Sequence, residues 1–79
     1  MEIQFSGHAL SQVKERKIAK EKIIKTVEKP LRKIKSFRNR ELRQRVFGSK
    51  ILEVVIVAEG SIITVVTAYY LDLKEKYEN

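Results

Sequence analysis

Residues 50–71 read KILEVVIVAEGSIITVVTAYYL, the most strand-like part of this chain of 79 residues. Two runs within it, residues 51–58 and 62–70, are dense in β-branched and aromatic side chains, which pack well on a pleated surface. Glu59-Gly60 lies between the runs, and glycine at the second position of a two-residue turn permits the positive φ that the turn requires. The pattern therefore predicts a β-hairpin.

The residues before the hairpin predict two further strands. Residues 41–47 alternate between Leu42, Gln44 and Val46 on one side and charged residues on the other, and a second turn signal, Gly48-Ser49, follows them. Residues 31–38 alternate less well and predict a strand near the sheet edge, where lysines discourage edge-to-edge pairing. A turn at Asn39-Arg40 would connect these two strands.

The N-terminal third predicts a short strand followed by two helices. Residues 1–5 alternate apolar and polar side chains, and Ser6 is placed to cap a helix over Gly7–Glu15. The apolar stripe of that helix is lost at Arg16–Lys17, so a break is expected there. A second helix is expected from about Ala19 to the residue before Pro30, with no good N-cap at its start.

The elements together predict an α+β domain over residues 1–79 with the order β-α-α-β-β-β-β. Two N-terminal helices are expected to pack on one face of an antiparallel sheet. The charged tail, residues 72–79, is expected to fray.

Two-residue loops at both turns also predict a register. Arg45 would then pair with Leu52, and Leu52 with Thr67. Two residues along the strands, Arg43 would pair with Val54 on the same face. One sheet face would carry Arg43, Arg45, Thr67 and Tyr69, and the more apolar opposite face would receive the helices. A one-residue bulge would change this placement for one strand.

Composition narrows the classes of function. The net charge of +7 favours polyanions such as nucleic acid as partners. Cysteine is absent, which excludes disulfides and thiol chemistry. No apolar run approaches the roughly 20 residues of a membrane span, so a cytoplasmic protein without a membrane partner is expected.

The candidate site residues each have a structural alternative. His8 is the only histidine, and histidine is the usual proton-transfer group near neutral pH, but a helix-surface role is more common. The arginines at positions 38, 40, 43 and 45 are interpreted either as a phosphate-binding strand or as a solvated face. Thr67 and Tyr69 are more often packing residues, and Arg16 more often covers the helix–helix corner.

The sequence lacks the motifs of several common cofactor-binding and metal-binding sites. No phosphate-binding glycine loop and no dinucleotide fingerprint occurs, and one histidine cannot build a histidine-rich metal site. Any enzyme here is therefore expected to need neither a metal nor a cofactor.

A family resemblance joins these residues. Four features follow one another along the chain: His8-Ala9, Glu15-Arg16-Lys17-Ile18, a helix ending at Pro30, and LEVVIV–EG–IITVVTAYYL. Together they resemble domain-of-unknown-function family 4258. That family is grouped by resemblance with the RelE-like ribonuclease toxins of the barnase–EndoU–colicin–RelE class. Lys17, where the family often has glycine, and Ala19, where it usually has serine, depart from the pattern.

The resemblance implies metal-independent RNA cleavage, in which a 2′-hydroxyl attacks the adjacent phosphate. His8 or Tyr69 would transfer protons, Thr67 would orient a phosphate oxygen, and two arginines, Arg43 and Arg45, would stabilise developing charge. The expected RNA-binding residues are Arg16, Arg38 and Arg40.

The leading hypothesis is thus a cytoplasmic, RelE-like ribonuclease, the toxin of a toxin–antitoxin pair whose acidic antitoxin covers the basic face. One alternative is a non-catalytic basic module that binds RNA or DNA. A second alternative is a structural homodimer in which the charge only confers solubility.

Overall fold

The predicted hairpin forms the centre of the sheet in a computed structural model, which describes residues 2–73. Its two strands are β4 (Lys50–Glu59) and β5 (Ile62–Asp72). The remaining elements are β1 (Glu2–Phe5), α1 (Gly7–Glu15), α2 (Lys20–Glu28), β2 (Arg32–Lys35) and β3 (Arg40–Phe47). The strands lie in the spatial order β1-β5-β4-β3-β2.

The α+β class and the element order are confirmed. Every strand pair is antiparallel except one, because β1 runs parallel to its neighbour β5. β2 is shorter than predicted, and the turn after it lies at Arg38 and Asn39, both with positive φ. The predicted fraying concerns residues 72–79; Asp72 ends β5, and residues 74–79 lie outside the described range. Between residues 2 and 73, no helix has the length and apolar character needed to cross a membrane.

Local sequence explains both ends of α1. At its start the Ser6 hydroxyl accepts a hydrogen bond of 3.0 Å from the Ala9 amide, as predicted. At its end Lys17 has φ +55°, the Ile18 amide donates to the Val13 carbonyl, and the Lys17 amide donates to the Lys14 carbonyl. These bonds form a Schellman motif, with Val13 and Ile18 both buried behind it. The helix therefore breaks where its apolar stripe is lost.

The second helix begins without a side-chain cap. Ala19 occupies the N-cap position of α2 in an extended conformation and provides no side-chain hydrogen bond. Its stability depends instead on packing, because Ile23 and Val27 are fully buried against the sheet.

Both helices pack on the sheet face that carries Leu52, Val54 and Ile56 of β4. The core between the two layers contains Ala9, Val13, Ile18, Ile23, Val27, Leu52, Val54, Ile56, Ile63, Val65 and Ala68. The sequence analysis placed the helices on the opposite face, with Ile51 and Val55, and that expectation is wrong. One signal in β4 favoured the observed face: Glu53 lies on the face with Ile51 and Val55, whereas the row Leu52, Val54 and Ile56 contains no charge.

The register between β3 and β4 is confirmed, whereas the register between β4 and β5 is wrong for two reasons. First, the turn comprises Gly60 and Ser61, so that Glu59 pairs with Ile62. Second, a bulge in β5 leaves Val66 as an extra residue.

The bulge reverses the two faces for the rest of β5. Val65 still shares the helix-covered face with Ile56, but Thr67 pairs with Val55 and Tyr69 with Glu53 on the other face. Ala68 and Tyr70 take the positions facing the helices. This reversal decides which side chains can form a site.

The Schellman motif generates a prediction for Lys17. We expect Lys17→Gly to stabilise the protein by about 1 kcal/mol, because glycine adopts positive φ without the steric cost that a Cβ imposes. Chemical denaturation of both proteins measures the difference in the free energy of unfolding. The control is Lys14→Gly in the exposed part of α1, which we expect to destabilise by about 1 kcal/mol. Equal destabilisation by both changes would contradict the left-handed conformation of Lys17.

Candidate functional site

The candidate site forms where α1 lies along the edge of β5. β1 pairs with β5 only as far as Val65, so the edge beyond that residue has no strand neighbour. The Ser6 amide donates to the Val65 carbonyl at 3.0 Å, and the Ser6 hydroxyl donates to the Val66 carbonyl at 3.5 Å. Farther along, Arg16 Nη1 donates to the Ala68 carbonyl at 2.8 Å. The helix and its cap thus protect an edge that another chain could otherwise pair with.

Arg16 also begins a set of polar contacts at this edge. Its Nη1 lies 3.3 Å from Thr67 Oγ1 and 3.3 Å from Gln12 Oε1, and the Thr67 hydroxyl donates to the same Gln12 oxygen. These hydrogen bonds from Arg16 within the described chain all come from Nη1. The Nε and Nη2 side of the guanidinium is therefore available for an anionic group.

The contacts continue across the sheet face that carries Thr67. The Tyr69 hydroxyl donates to Glu53 Oε2, and Gln44 Nε2 donates to Glu53 Oε1 at 2.5 Å. These side chains come from α1, β3, β4 and β5. We call this set the polar cluster: Gln12, Arg16, Gln44, Glu53, Thr67 and Tyr69.

Two members of the polar cluster are deeply buried. Glu53 is 5% exposed and Gln44 is 1% exposed. A buried carboxylate is tolerated only with hydrogen-bond donors around it, and Tyr69 and Gln44 provide them. Within the described part of the chain, Gln44 Oε1 has no hydrogen-bond partner. The network thus ends on an acceptor that is not satisfied.

Tyr69 is the titratable group that this environment changes most clearly. Burial, the hydrogen bond to Glu53 and the negative charge of Glu53 raise its pKa from 10.0 to about 12, and Arg16 opposes the shift. The phenol is consequently protonated at neutral pH, where it can donate a proton or a hydrogen bond but cannot act as a base.

His8 lies on the same side of α1 as the cluster. His8, Gln12 and Arg16 follow one another at four-residue intervals, which places them along one helix face. His8 itself is exposed. The structure therefore places an accessible imidazole one helical turn before Gln12.

Arg43 and Arg45 lie on the other face of the sheet, so the predicted convergence of these arginines with Thr67 and Tyr69 is wrong. Arg43 Nη1 donates to the Val27 carbonyl at 2.5 Å, and Arg45 Nη1 donates to the Lys29 carbonyl at 2.6 Å. These carbonyls lie at the C-terminal end of α2, which carries partial negative charge and lacks intrahelical donors. The two arginines thus connect α2 to β3.

Arg38 and Arg40 lie elsewhere again, at the exposed turn between β2 and β3. Arg40 is four residues along β3 from Gln44, which corresponds to roughly 13 Å at the rise of a strand. Arg16, Thr67 and Tyr69 are therefore the predicted site residues that the structure brings together, with His8 beside them.

Sequence reasoning missed Gln12, Gln44 and Glu53. One signal for Glu53 was present, because it is the only charged residue among residues 51–58. A lone carboxylate in an apolar strand requires a partner, and that requirement could have pointed to Tyr69. Gln12 and Gln44 carry no comparable signal.

Comparison with known protein families gives a match over most of the chain. A family model described as "Domain of unknown function (DUF4258)" matches residues 5–70. The matched range includes His8 and Arg16 as well as Thr67 and Tyr69. A search of curated proteins found no match, and a search of solved structures found none.

The position of Arg43 generates a stability prediction. We expect Arg43→Met to destabilise the protein by about 1–3 kcal/mol, because the Val27 carbonyl and the Glu41 carboxylate, 2.7 Å from Arg43 Nε, both lose a charged donor. Urea unfolding measures this change. The control is Lys33→Met, at the exposed position paired with Arg43 on β2, which we expect to change stability by less than about 0.5 kcal/mol. Equal effects of the two changes would contradict the structural role of Arg43.

The environment of Tyr69 generates a pH prediction. The folded pKa is raised above the unfolded value, so this group's contribution to stability is complete below pH 10 and is lost as pH rises from 10 towards about 12. The difference in phenolate absorbance between wild type and Tyr69→Phe reports the titration. We expect Glu53→Gln to lower the pKa of Tyr69, because the carboxylate charge is removed. Titration of wild-type Tyr69 at its ordinary value would contradict the Glu53 contact.

Proposed function

The chain belongs to the family described as "Domain of unknown function (DUF4258)", and we propose that it is a metal-independent endoribonuclease whose site is the polar cluster with His8. One observation carries this proposal. Arg16 lies within hydrogen-bond distance of Thr67, and it is near enough to Tyr69 for its positive charge to oppose the rise in the Tyr69 pKa. Tyr69 in turn donates to Glu53. A cation, a hydroxyl and a proton donor thus adjoin one another on an otherwise largely apolar strand pair.

The reaction first requires that the site bind and polarise the scissile phosphate. Arg16 holds the scissile phosphate through the Nε and Nη2 side of its guanidinium, where a bidentate contact is possible. Thr67 orients a phosphate oxygen. Both groups reduce the charge that builds up on the phosphate oxygens as the 2′-hydroxyl attacks.

Proton transfers complete the reaction. His8 accepts the proton of the 2′-hydroxyl as the new bond from that oxygen to phosphorus forms. The bond from phosphorus to the 5′-oxygen breaks, and the Tyr69 phenol donates its proton to that oxygen. The products are a 2′,3′-cyclic phosphate and a free 5′-hydroxyl. Before the reaction Glu53 orients the phenol by accepting its proton in a hydrogen bond, and this bond breaks as the proton passes to the 5′-oxygen.

The partners of the proposal follow from charge. RNA is the substrate, and a net charge of +7 favours its binding. As the toxin of a toxin–antitoxin pair, the protein would act in the cytoplasm and would be inhibited by an acidic antitoxin. A homodimer is an alternative occupant of the sheet face that the helices leave uncovered.

A second candidate function is RNA binding without cleavage. The buried Glu53 carboxylate favours this alternative, because a negative charge beside Tyr69 opposes the approach of a phosphate. Nη1 of Arg16 is also already used in contacts within the protein. Such a module would bind RNA and leave it intact.

Cleavage of RNA in the presence of EDTA tests the proposal. We expect wild type to produce 2′,3′-cyclic phosphate ends and Tyr69→Phe to cut about 10²–10⁴ times more slowly, the usual contribution of a proton-transfer group. Arg16→Gln and His8→Asn should also cut more slowly. The measurement is the rate of product formation on denaturing gels.

Matched controls are provided by neighbouring residues. Tyr70→Phe removes a phenol from the opposite sheet face, and Lys17→Gln removes a cation next to Arg16; both should cut at the wild-type rate. Cleavage unchanged in Tyr69→Phe would place the site elsewhere. Intact RNA that nevertheless shifts on a native gel would select the binding module.

A further inference from the structure

The turn between β2 and β3 exposes a large aromatic side chain. Phe37 is 85% exposed, more than any other exposed large hydrophobic residue in the described chain, and the next is Leu31 at 62%. Exposure of a whole phenyl ring forgoes the free energy of burying it. A ring so completely presented to solvent is available to a ligand with an apolar face.

Positive charge surrounds this ring. Residues 31–40 read LRKIKSFRNR, with five basic and no acidic residues. Phe37 is followed directly by Arg38, and Arg40 lies just across the turn; both are exposed. Ser36, Phe37, Arg38 and Arg40 line a shallow depression of about 480 Å³. An aromatic ring among cations matches the composition of surfaces that bind single-stranded nucleic acid.

The backbone of the turn is held in an unfavourable conformation. Arg38 has φ +57° and Asn39 has φ +62°, and the Arg40 amide donates to the Phe37 carbonyl at 3.0 Å. Two left-handed residues in succession form the tight turn typical of a β-hairpin. Asparagine tolerates this conformation, whereas arginine does so only at a steric cost. The strained conformation of Arg38 thus puts a cation at the tip of the β2–β3 turn, next to Phe37.

We infer that this turn is a second RNA contact, in which Phe37 stacks on an unpaired base while Arg38 and Arg40 bind the flanking phosphates. The inference rests on the proposed function and adds to it the substrate class, single-stranded RNA. Bases within a duplex are already stacked on both faces, so only an unpaired base can stack on Phe37. The turn lies roughly 13 Å along β3 from the polar cluster. A single RNA strand that contacts both sites therefore spans several nucleotides.

Binding to a labelled single-stranded RNA oligonucleotide tests the stacking contact. The measurement is fluorescence anisotropy in the Tyr69→Phe background, which limits cleavage. We expect Phe37→Ala to weaken binding by roughly 5- to 150-fold, the equivalent of about 1–3 kcal/mol per stacked base. Phe37→Trp should retain wild-type affinity. Leu31→Ala, at the other exposed apolar position of this segment, should also bind as wild type does.

Salt dependence tests the charge at the tip. Arg38→Asn keeps a residue that tolerates positive φ and removes one cation, so the slope of log affinity against log salt should fall by about 0.7, the value for one phosphate of a single strand. The control is Lys17→Asn, which removes the same charge at the other basic residue with positive φ between residues 2 and 73 and should leave the slope unchanged.

The outcomes separate this inference from the proposed function. Wild-type affinity of Phe37→Ala, or equal losses on single-stranded and duplex RNA, overturns the stacking contact even if RNA is cleaved at the polar cluster. A loss confined to single strands supports the contact even if no RNA is cleaved. Vesicles of anionic lipid are the remaining probe: binding to them that requires Phe37, with RNA affinity unchanged, would overturn the inference in favour of a membrane contact.

Discussion

The bulge at Val66 is the constraint on which the candidate site depends. Side chains alternate between the faces of a strand, so one extra residue exchanges the faces for everything that follows it. Without the bulge, Thr67 and Tyr69 would point into the core, and Ala68 and Tyr70 would point away from it. With it, a small residue fits beneath α1, and the hydroxyls face Glu53 and Arg16. The bulge thus separates the packing residues of β5 from its polar ones.

The short β1 makes the second half of this arrangement possible. A longer strand would continue to pair with β5 and would occupy the edge that Arg16 now contacts. Because β1 ends at Phe5, Ser6 can cap α1 and hydrogen-bond to β5 at the same time. The helix then carries Gln12 and Arg16 along the exposed edge, so one element both protects the edge and delivers a cation to it.

Much of the fold could be predicted from sequence, because the informative signals were local. The β-branched runs, the Ser6 cap and the lost stripe at Arg16–Lys17 each act within a few residues, and the element order followed from them. The bulge could not be predicted, since nothing in Val65-Val66-Thr67 distinguishes a bulged strand from a regular one. The turn was misplaced by one residue because Gly60 satisfies either alignment. The prediction for Arg43 was wrong for another reason, because its contacts depend on where the end of α2 lies in space.

The distribution of cations shows why net charge alone is a weak guide to a binding surface. Arg43 and Arg45 donate to carbonyls at the end of α2, and there they offset the partial negative charge of the helix. Lys20 and Lys22 lie 5.7 and 5.4 Å from the rings of Phe5 and Phe47, where cation–π contact and packing account for them. These contacts use part of the charge and donor capacity of each cation within the protein. Among the described residues, the cations that we propose as RNA contacts are Arg16, which uses only Nη1 within the protein, and the exposed arginines of the β2–β3 turn.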